Sequence, residues 1–336
     1  MPMTLEDIAR ICSVSRSTVS RVINGEPNVS EKTREKVMET IRKIDFQPNL
    51  AARGLAVGRT RVLGLVIPMG VTAIFADPFF PLLIQGVTSA CNALDHSVML
   101  WLAEPEYERR TIRQILYNGL VDGVIVASML TDDTLVENLI ESRLPFVLIG
   151  RHPSNDRVHY IDIDNRSASR QAVHCLMRNG CKRIATINGP ANMIAGMDRL
   201  QGYLDALHER GINPNPALIA PGDFTDAGGY YAMQHLLAQH PDGIFAASDT
   251  MAMGAMRAIQ DAGLRVPEDI AVIGFDDVPQ AAHANPPLTT LRQPIQRMGS
   301  LAAETLVEII SHPTDQVNRM ILPVELVIRQ STRDNI

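Results

Sequence analysis

Residues 4–60 read TLEDIARICSVSRSTVSRVINGEPNVSEKTREKVMETIRKIDFQPNLAARGLAVGRT, and the spacing of their apolar positions decides what kind of molecule this is. Thr4 precedes Leu5, Ile8, Ala9 and Cys12, which recur as one face of a short helix, with Asp7 in its first turn. Ser13-Val14 forms a turn. Ser15 caps a second helix whose inner side is Val19, Val22 and Ile23, and Asn24-Gly25 ends it. Ser30 caps a third helix directing Val37, Met38, Ile41 and Ile44 inward. Three short helices around one small core, the first two joined by a tight turn, make a helix-turn-helix unit.

The exposed side of the second helix begins Arg16-Ser17-Thr18 and continues to Arg21. Arginine can donate two hydrogen bonds to guanine in the major groove, and Ser or Thr can bond bases or phosphates. The plainer alternative is a solvated face. A three-helix unit with this polar N-terminal face favours DNA. Charge agrees: residues 1–61 hold 11 Lys/Arg against 7 Asp/Glu, and the remainder holds 20 against 30. A basic head on an acidic body suits a polyanion-binding module joined to something else.

Three runs make the pattern specific: V-S-x-x-T-V-S-R-V-x-N (Val14 to Asn24), V-S-x-x-T-R-x-K-V (Val29 to Val37) and P-N-x-x-A-R-x-L (Pro48 to Leu55). Together they resemble the DNA-binding headpiece of the lactose repressor and galactose repressor (LacI/GalR) family of transcription regulators. The resemblance implies an operator-contacting set of Ser15, Arg16, Ser17, Thr18, Arg21, Asn24, Asn49, Arg53 and Leu55. One departure is Ser13, where the family usually has glycine; if the turn needs a positive φ, serine is tolerated at some cost. Pro48 to Ala56 is too short to be helical alone, and Gly54 weakens it further. The family implies a hinge helix there that orders on DNA, with Leu55 as a minor-groove wedge. The expected domains are 1–46 (headpiece), 47–60 (hinge and linker) and 61–336 (sensor).

Beyond Arg61 the chain alternates apolar strands with helical stretches. Strands are expected at Val62–Pro68, Val98–Leu102, Gly123–Ala127, Pro145–Ile149, Tyr160–Ile163, Arg183–Asn188, Gly243–Ala247 and Ile270–Gly274. Helices are expected at Pro81–Leu94, Arg109–Asn118, Ser167–Asn179, Arg199–Arg210, Ala227–Gln239 and Ala252–Ala262. This rhythm predicts an α/β fold of doubly wound parallel sheets, with too many units for one sheet. Two lobes follow, about 61–161 plus 290–318 and 162–289 plus 319–332, and a cleft between lobes is a natural ligand site.

D-P-F-F-x-x-L-x-x-G-V (Asp77 to Val87), I-D-N (Ile163 to Asn165), D-R-L-x-G-Y (Asp198 to Tyr203), S-D-x-M-A-x-G (Ser248 to Gly254) and G-F-D-D (Gly274 to Asp277) extend the resemblance over the whole chain. They look like the family's effector core and the related periplasmic-binding-protein-like fold. The resemblance implies that Arg199 and Asp276 contact the effector, with Phe224 and Phe80 as aromatic walls and Arg151, Asp164 and Ser248 as further candidates. Arginine and carboxylate suit sugar hydroxyls, so a carbohydrate is the expected effector, with a purine or phosphosugar as alternatives. Met193 and Ala195 supply no side-chain donor to that wall. The bland alternative is a structural Arg199–Asp276 ion pair beside two core phenylalanines.

The sequence shows no phosphate loop, zinc spacing or nucleophile elbow, so no enzyme and no cofactor are read. Neither a membrane span nor an apolar leader is visible, and the four cysteines lack metal or disulfide spacing; a cytoplasmic protein is expected. A sugar-binding transport protein would share the two lobes but not the DNA-binding head. One headpiece reads few base pairs, so a homodimer on near-palindromic double-stranded operator DNA is expected, without a membrane partner.

Overall fold

The computed structural model describes residues 3–23, 25–44, 46, 59–67, 71–102, 119–127, 130–131, 135–152, 157–314 and 316–333. They belong to two compact units, residues 1–60 and 61–336.

The first unit is α1 (Leu5–Cys12), α2 (Arg16–Ile23) and α3 (Glu31–Lys43). A capping box opens α1: Thr4 Oγ1 accepts the Asp7 amide at 3.3 Å and Asp7 Oδ2 accepts the Thr4 amide at 3.0 Å. Ser30 Oγ accepts the Thr33 amide at the start of α3. Ile8, Ala9, Cys12, Val19, Val22 and Val37 make the core. Met38 departs from expectation: it is 38% exposed. Val37 and Ile41, four residues apart, fill the inward stripe of α3, and Met38 lies about 100° around the helix from Val37. Between α1 and α2, Ser13 adopts φ 54° and ψ 44°, the left-handed conformation a glycine would take without strain. Asn24, Asn49, Arg53 and Leu55, with the expected hinge helix, lie outside the described residues.

In the second unit, sheet one runs β11 (Arg319–Leu322), β5 (His159–Ile163), β4 (Phe146–Ile149), β3 (Gly123–Ala127), β1 (Val62–Ile67) and β2 (Ser97–Leu102), all parallel. Sheet two runs β12 (Glu325–Val327), β10 (Thr289–Arg292), β9 (Ala271–Asp276), β8 (Gly243–Ala246), β6 (Ile184–Asn188) and β7 (Ile219–Pro221). It is parallel except for its edge pair β10–β12. Central strands such as β3 and β9 are buried along their whole length, which is why they read as unbroken apolar runs.

The lobe boundaries require correction. Residues 290–292 belong to sheet two, because β10 pairs with β9, and residues 319–322 belong to sheet one, because β11 pairs with β5. Among the described residues, the chain crosses between sheets three times: after β5, after β10, and between β11 and β12. Strands of four residues with mixed exposure carry no local mark of their sheet, so the sequence could not assign them.

Helices not anticipated are α4 (Val71–Ala76), α6 (Leu135–Ser142) and the long α11 (Ile295–Ser311). α11 lies against α5 (Phe79–Ala93) so closely that a Cβ on Gly86 would fall 2.0 Å from the Gln296 carbonyl oxygen. The helix expected at Arg109–Asn118 lies outside the described residues. The remaining helices are α7 (Asn165–Arg178), α8 (Ile194–Glu209, starting five residues before its expected Arg199), α9 (Asp226–Leu237) and α10 (Asp249–Asp261).

Ser13→Gly should relieve the turn and stabilise the headpiece by about 0.5–1 kcal/mol, the left-handed penalty less the extra entropy of glycine. Thermal denaturation of residues 1–60, followed by far-ultraviolet circular dichroism, checks this; an unchanged or lower midpoint would show that the turn is unstrained.

Candidate nucleic-acid interface and ligand cleft

Ser15 stands at the head of α2, where its Oγ accepts the Thr18 amide at 3.1 Å and lies 2.7–2.8 Å from the hydroxyls of Ser17 and Thr18. The cap thus gathers three hydroxyls at the helix N-terminus, beside the exposed Arg16 and Ser17. Arg16 pairs with Glu6 at 3.1 Å and Arg21 with Glu26 at 3.7 Å. All four side chains are exposed, so these pairs are weak and open easily to a stronger anion.

Two adjoining cavities of about 80 Å³ each lie between the sheets of the second unit and share Phe79, Met193, Ala195, Arg199 and Gln293. Arg199, in the second turn of α8, is 6% exposed. Its Nε donates to Asn165 Oδ1 at 2.8 Å and its Nη1 to the Ala247 carbonyl at 2.6 Å. The guanidinium carbon sits 3.7 Å from the ring centre of Phe275 and 5.9 Å from that of Phe224. Asp276, 4% exposed, places Oδ1 3.7 Å from Nη1 and accepts a short hydrogen bond from Gln293 Nε2. Burial pushes the Asp276 carboxyl up to about 7; Arg199 opposes the shift and Asp77 adds to it. Burial likewise raises Asp77, and raises Asp249 well above the usual range.

Most of the expected effector residues meet here. Phe80 and Phe224 line the same cavity as Arg199, Asp276 and Ser248. Phe224 takes a left-handed φ of 65°, and its ring occupies the space a Cβ on Gly189 would need. Ser248 Oγ accepts the Met251 amide at 3.2 Å, so it caps α10 while facing the cavity. Arg151 lines the other cavity and is held in a fork by Asp198, at 2.6 and 2.8 Å, with Asp162 at 3.3 Å. Asp164 needs correction: it caps α7, accepting the Ser167 amide at 2.9 Å, and lines neither cavity. The acid that faces the cleft is Asp162, whose carboxyl burial pushes up to about 6.

Residues 4–49 match the profile of bacterial regulatory proteins of the lacI family, and residues 173–332 that of the periplasmic binding protein-like domain. The chain is 41% identical to the HTH-type transcriptional regulator CelR of Thermobifida fusca, over 98% of both chains. It belongs to the LacI family.

A solved CelR–cellobiose complex is 39% identical to this LacI-family chain, with a TM-score of 0.79 over 98% of this chain and 99% of that one. The lac repressor dimer bound to operator and the anti-inducer ONPF is 29% identical, with a TM-score of 0.87 over 99% of both. The chain is therefore a helix-turn-helix transcriptional regulator with a periplasmic-binding-protein-like sensor. No described helix is long and apolar enough to cross a membrane.

Sequence reasoning left Asp77, Phe79, Asn165 and Gln293 out of the site. Asp77, Phe79 and Asn165 stood inside motifs already quoted; nothing local marked Gln293, which reaches the cleft only because the chain crosses between sheets there.

Asp276 carries a stability signature. Its folded carboxyl titrates near 7, above the ordinary unfolded value, so between the two the native state holds a proton that the unfolded state lacks. Stability from this group is present at low pH and lost as pH rises towards 7; Asp162 acts in the same direction up to about 6. Asp276→Asn removes one titration and should gain on the wild type as pH rises from about 5 to about 8. Denaturation midpoints across that range check this; parallel curves would show that Asp276 ionises normally.

Proposed function

We propose that this chain is a repressor that binds operator DNA as a homodimer through α2, and that a neutral sugar held between its lobes controls that binding. One observation carries the sensor reading: the buried Arg199 and Asp276, side by side among aromatic rings, offer a fixed donor and acceptor to neighbouring hydroxyls. Among the described residues, the cavities are lined by Asp77, Asp162, Asp223 and Asp276 and by Arg151 and Arg199. That acid excess disfavours a phosphosugar and suits a polyol. The likeness to CelR supports cellobiose as the first sugar to try.

The DNA reading rests on Arg16, Ser17 and Arg21 on the outer side of α2, with Asn49, Arg53 and Leu55 assigned from the sequence alone. The dimer reading draws on the likeness to the operator-bound lac repressor dimer. Sensor and reader would couple through residues 47–56, with no catalysis and with the work done in the cytoplasm. Such coupling is reciprocal, so operator must change sugar affinity by the factor by which sugar changes operator affinity.

Thermal shift with cellobiose, glucose, glucose 6-phosphate and hypoxanthine tests the sensor. Cellobiose or glucose should raise the midpoint, a ligand at about 100 times its Kd adding about 2.7 kcal/mol. A response confined to the phosphosugar or the purine would overturn the sugar reading. For the reader, duplexes selected from a random pool by the wild type supply the probe. Arg16→Ala and Arg21→Ala should each weaken binding by about 1–3 kcal/mol and relax selection at one base pair. Unchanged affinity and selectivity in both variants would show that α2 does not read bases.

A further inference from the structure

The last residue of β9 and the one after it have positive φ, Asp276 at 121° and Asp277 at 57°, and neither is glycine. Such conformations are unfavourable for a side chain and persist only where the surroundings hold them. What holds Asp277 lies outside the cavities. Asp277 lines neither cavity. Its Oδ2 accepts from Arg292 Nε at 2.6 Å and its Oδ1 from Arg329 Nη2 at 2.5 Å.

Both arginines are themselves pinned. Arg292, on β10, also pairs with Glu325 of β12 at 3.0 Å. Arg329 donates Nη1 to the Leu288 carbonyl at 2.7 Å and its amide to Thr289 Oγ1 at 2.8 Å. The Asp277 carboxylate is thus clamped between β10 and the segment following β12, next to Asp276, whose Oδ1 lies 3.7 Å from Arg199 Nη1. On the cleft side, Asp276 is held by Gln293 and by the field of Arg199.

We propose that Asp277, gripped by Arg292 and Arg329, is the positioning residue that keeps Asp276 in its effector-binding conformation; this rests on the sugar reading above. Asp277 touches no ligand itself. The antiparallel edge β10–β12 thereby has a task in recognition, since it carries the clamp.

Asp277→Asn keeps the shape and tolerates a positive φ but removes the clamped charge. Arg329→Lys keeps a charge but loses the fork. Cellobiose affinity by calorimetry should fall roughly tenfold or more in Asp277→Asn, and by less in Arg329→Lys, while the sugar-free protein binds operator within about twofold of wild type. In an Asp276→Asn background, adding Asp277→Asn should change cellobiose affinity less than about twofold, because the group it positions is already gone. Wild-type sugar affinity in Asp277→Asn, losses that multiply in the double variant, or parallel loss of operator binding would each overturn the proposal.

If the wild type takes up no sugar, the sugar reading fails by itself, and a ligand-free measurement still decides the positioning. Asp276 faces Arg199, Asp77 and Asp249. The pH-dependent stability difference between wild type and Asp276→Asn should shrink when both carry Asp277→Asn. An undiminished difference means that Asp276 stays in place without the clamp, and overturns the proposal.

Discussion

A buried guanidinium is the constraint around which the second unit is organised. Moving a charge out of water costs far more than a single contact returns, so it must be met by several partners at once. Arg199 obtains them from the carboxyl ends of β8 and β9 and from the first residue of α7: the Ala247 carbonyl, the Phe275 ring, Asp276 and Asn165. These groups come from distant parts of the chain and converge only if sheet two is correctly ordered and the first crossing is made. The same cluster that satisfies the arginine is then an arrangement of donors, acceptors and aromatic faces, which a ligand with several hydroxyls can join.

The first unit obeys a humbler constraint. Among the described residues its core holds six buried side chains, so small gains at the ends of its helices matter in proportion. The capping box at Thr4 and the caps at Ser15 and Ser30 are all side chain–backbone bonds within three residues. Such local devices hold three short helices together while leaving the outer side of α2 to Arg16, Ser17 and Arg21.

Local devices are also what the sequence displays most openly. Thr4, Ser15 and Ser30 were legible as caps because a cap acts within one turn, and Gly123–Ala127 was legible as a strand because burial on both faces leaves an unbroken apolar run. Ser13 was legible as a departure, and the left-handed turn supplies the reason. The long α11 was hidden by Gly299 and Ser300, which weaken the helical signal; Gly299 is tolerated because a Cβ there would meet the Leu83 carbonyl oxygen at 2.6 Å. Asp164 and Asp162 could not be told apart by type: one follows the strand and caps a helix, while the other is buried within the strand. Arg199 and Asp276, 77 positions apart, could be paired only through the family resemblance, because no periodicity connects residues that meet through tertiary folding.

The three crossings also impose an order in time. Sheet one lacks its edge strand and its covering helix until residues 295–322 have been made, whereas the headpiece has its own core within the first 60 residues. On a ribosome the headpiece therefore emerges complete long before the lobe that completes the cleft. During that interval the nascent protein has a folded headpiece and no finished sensor, and the cleft is complete only once residues 295–327 have been added.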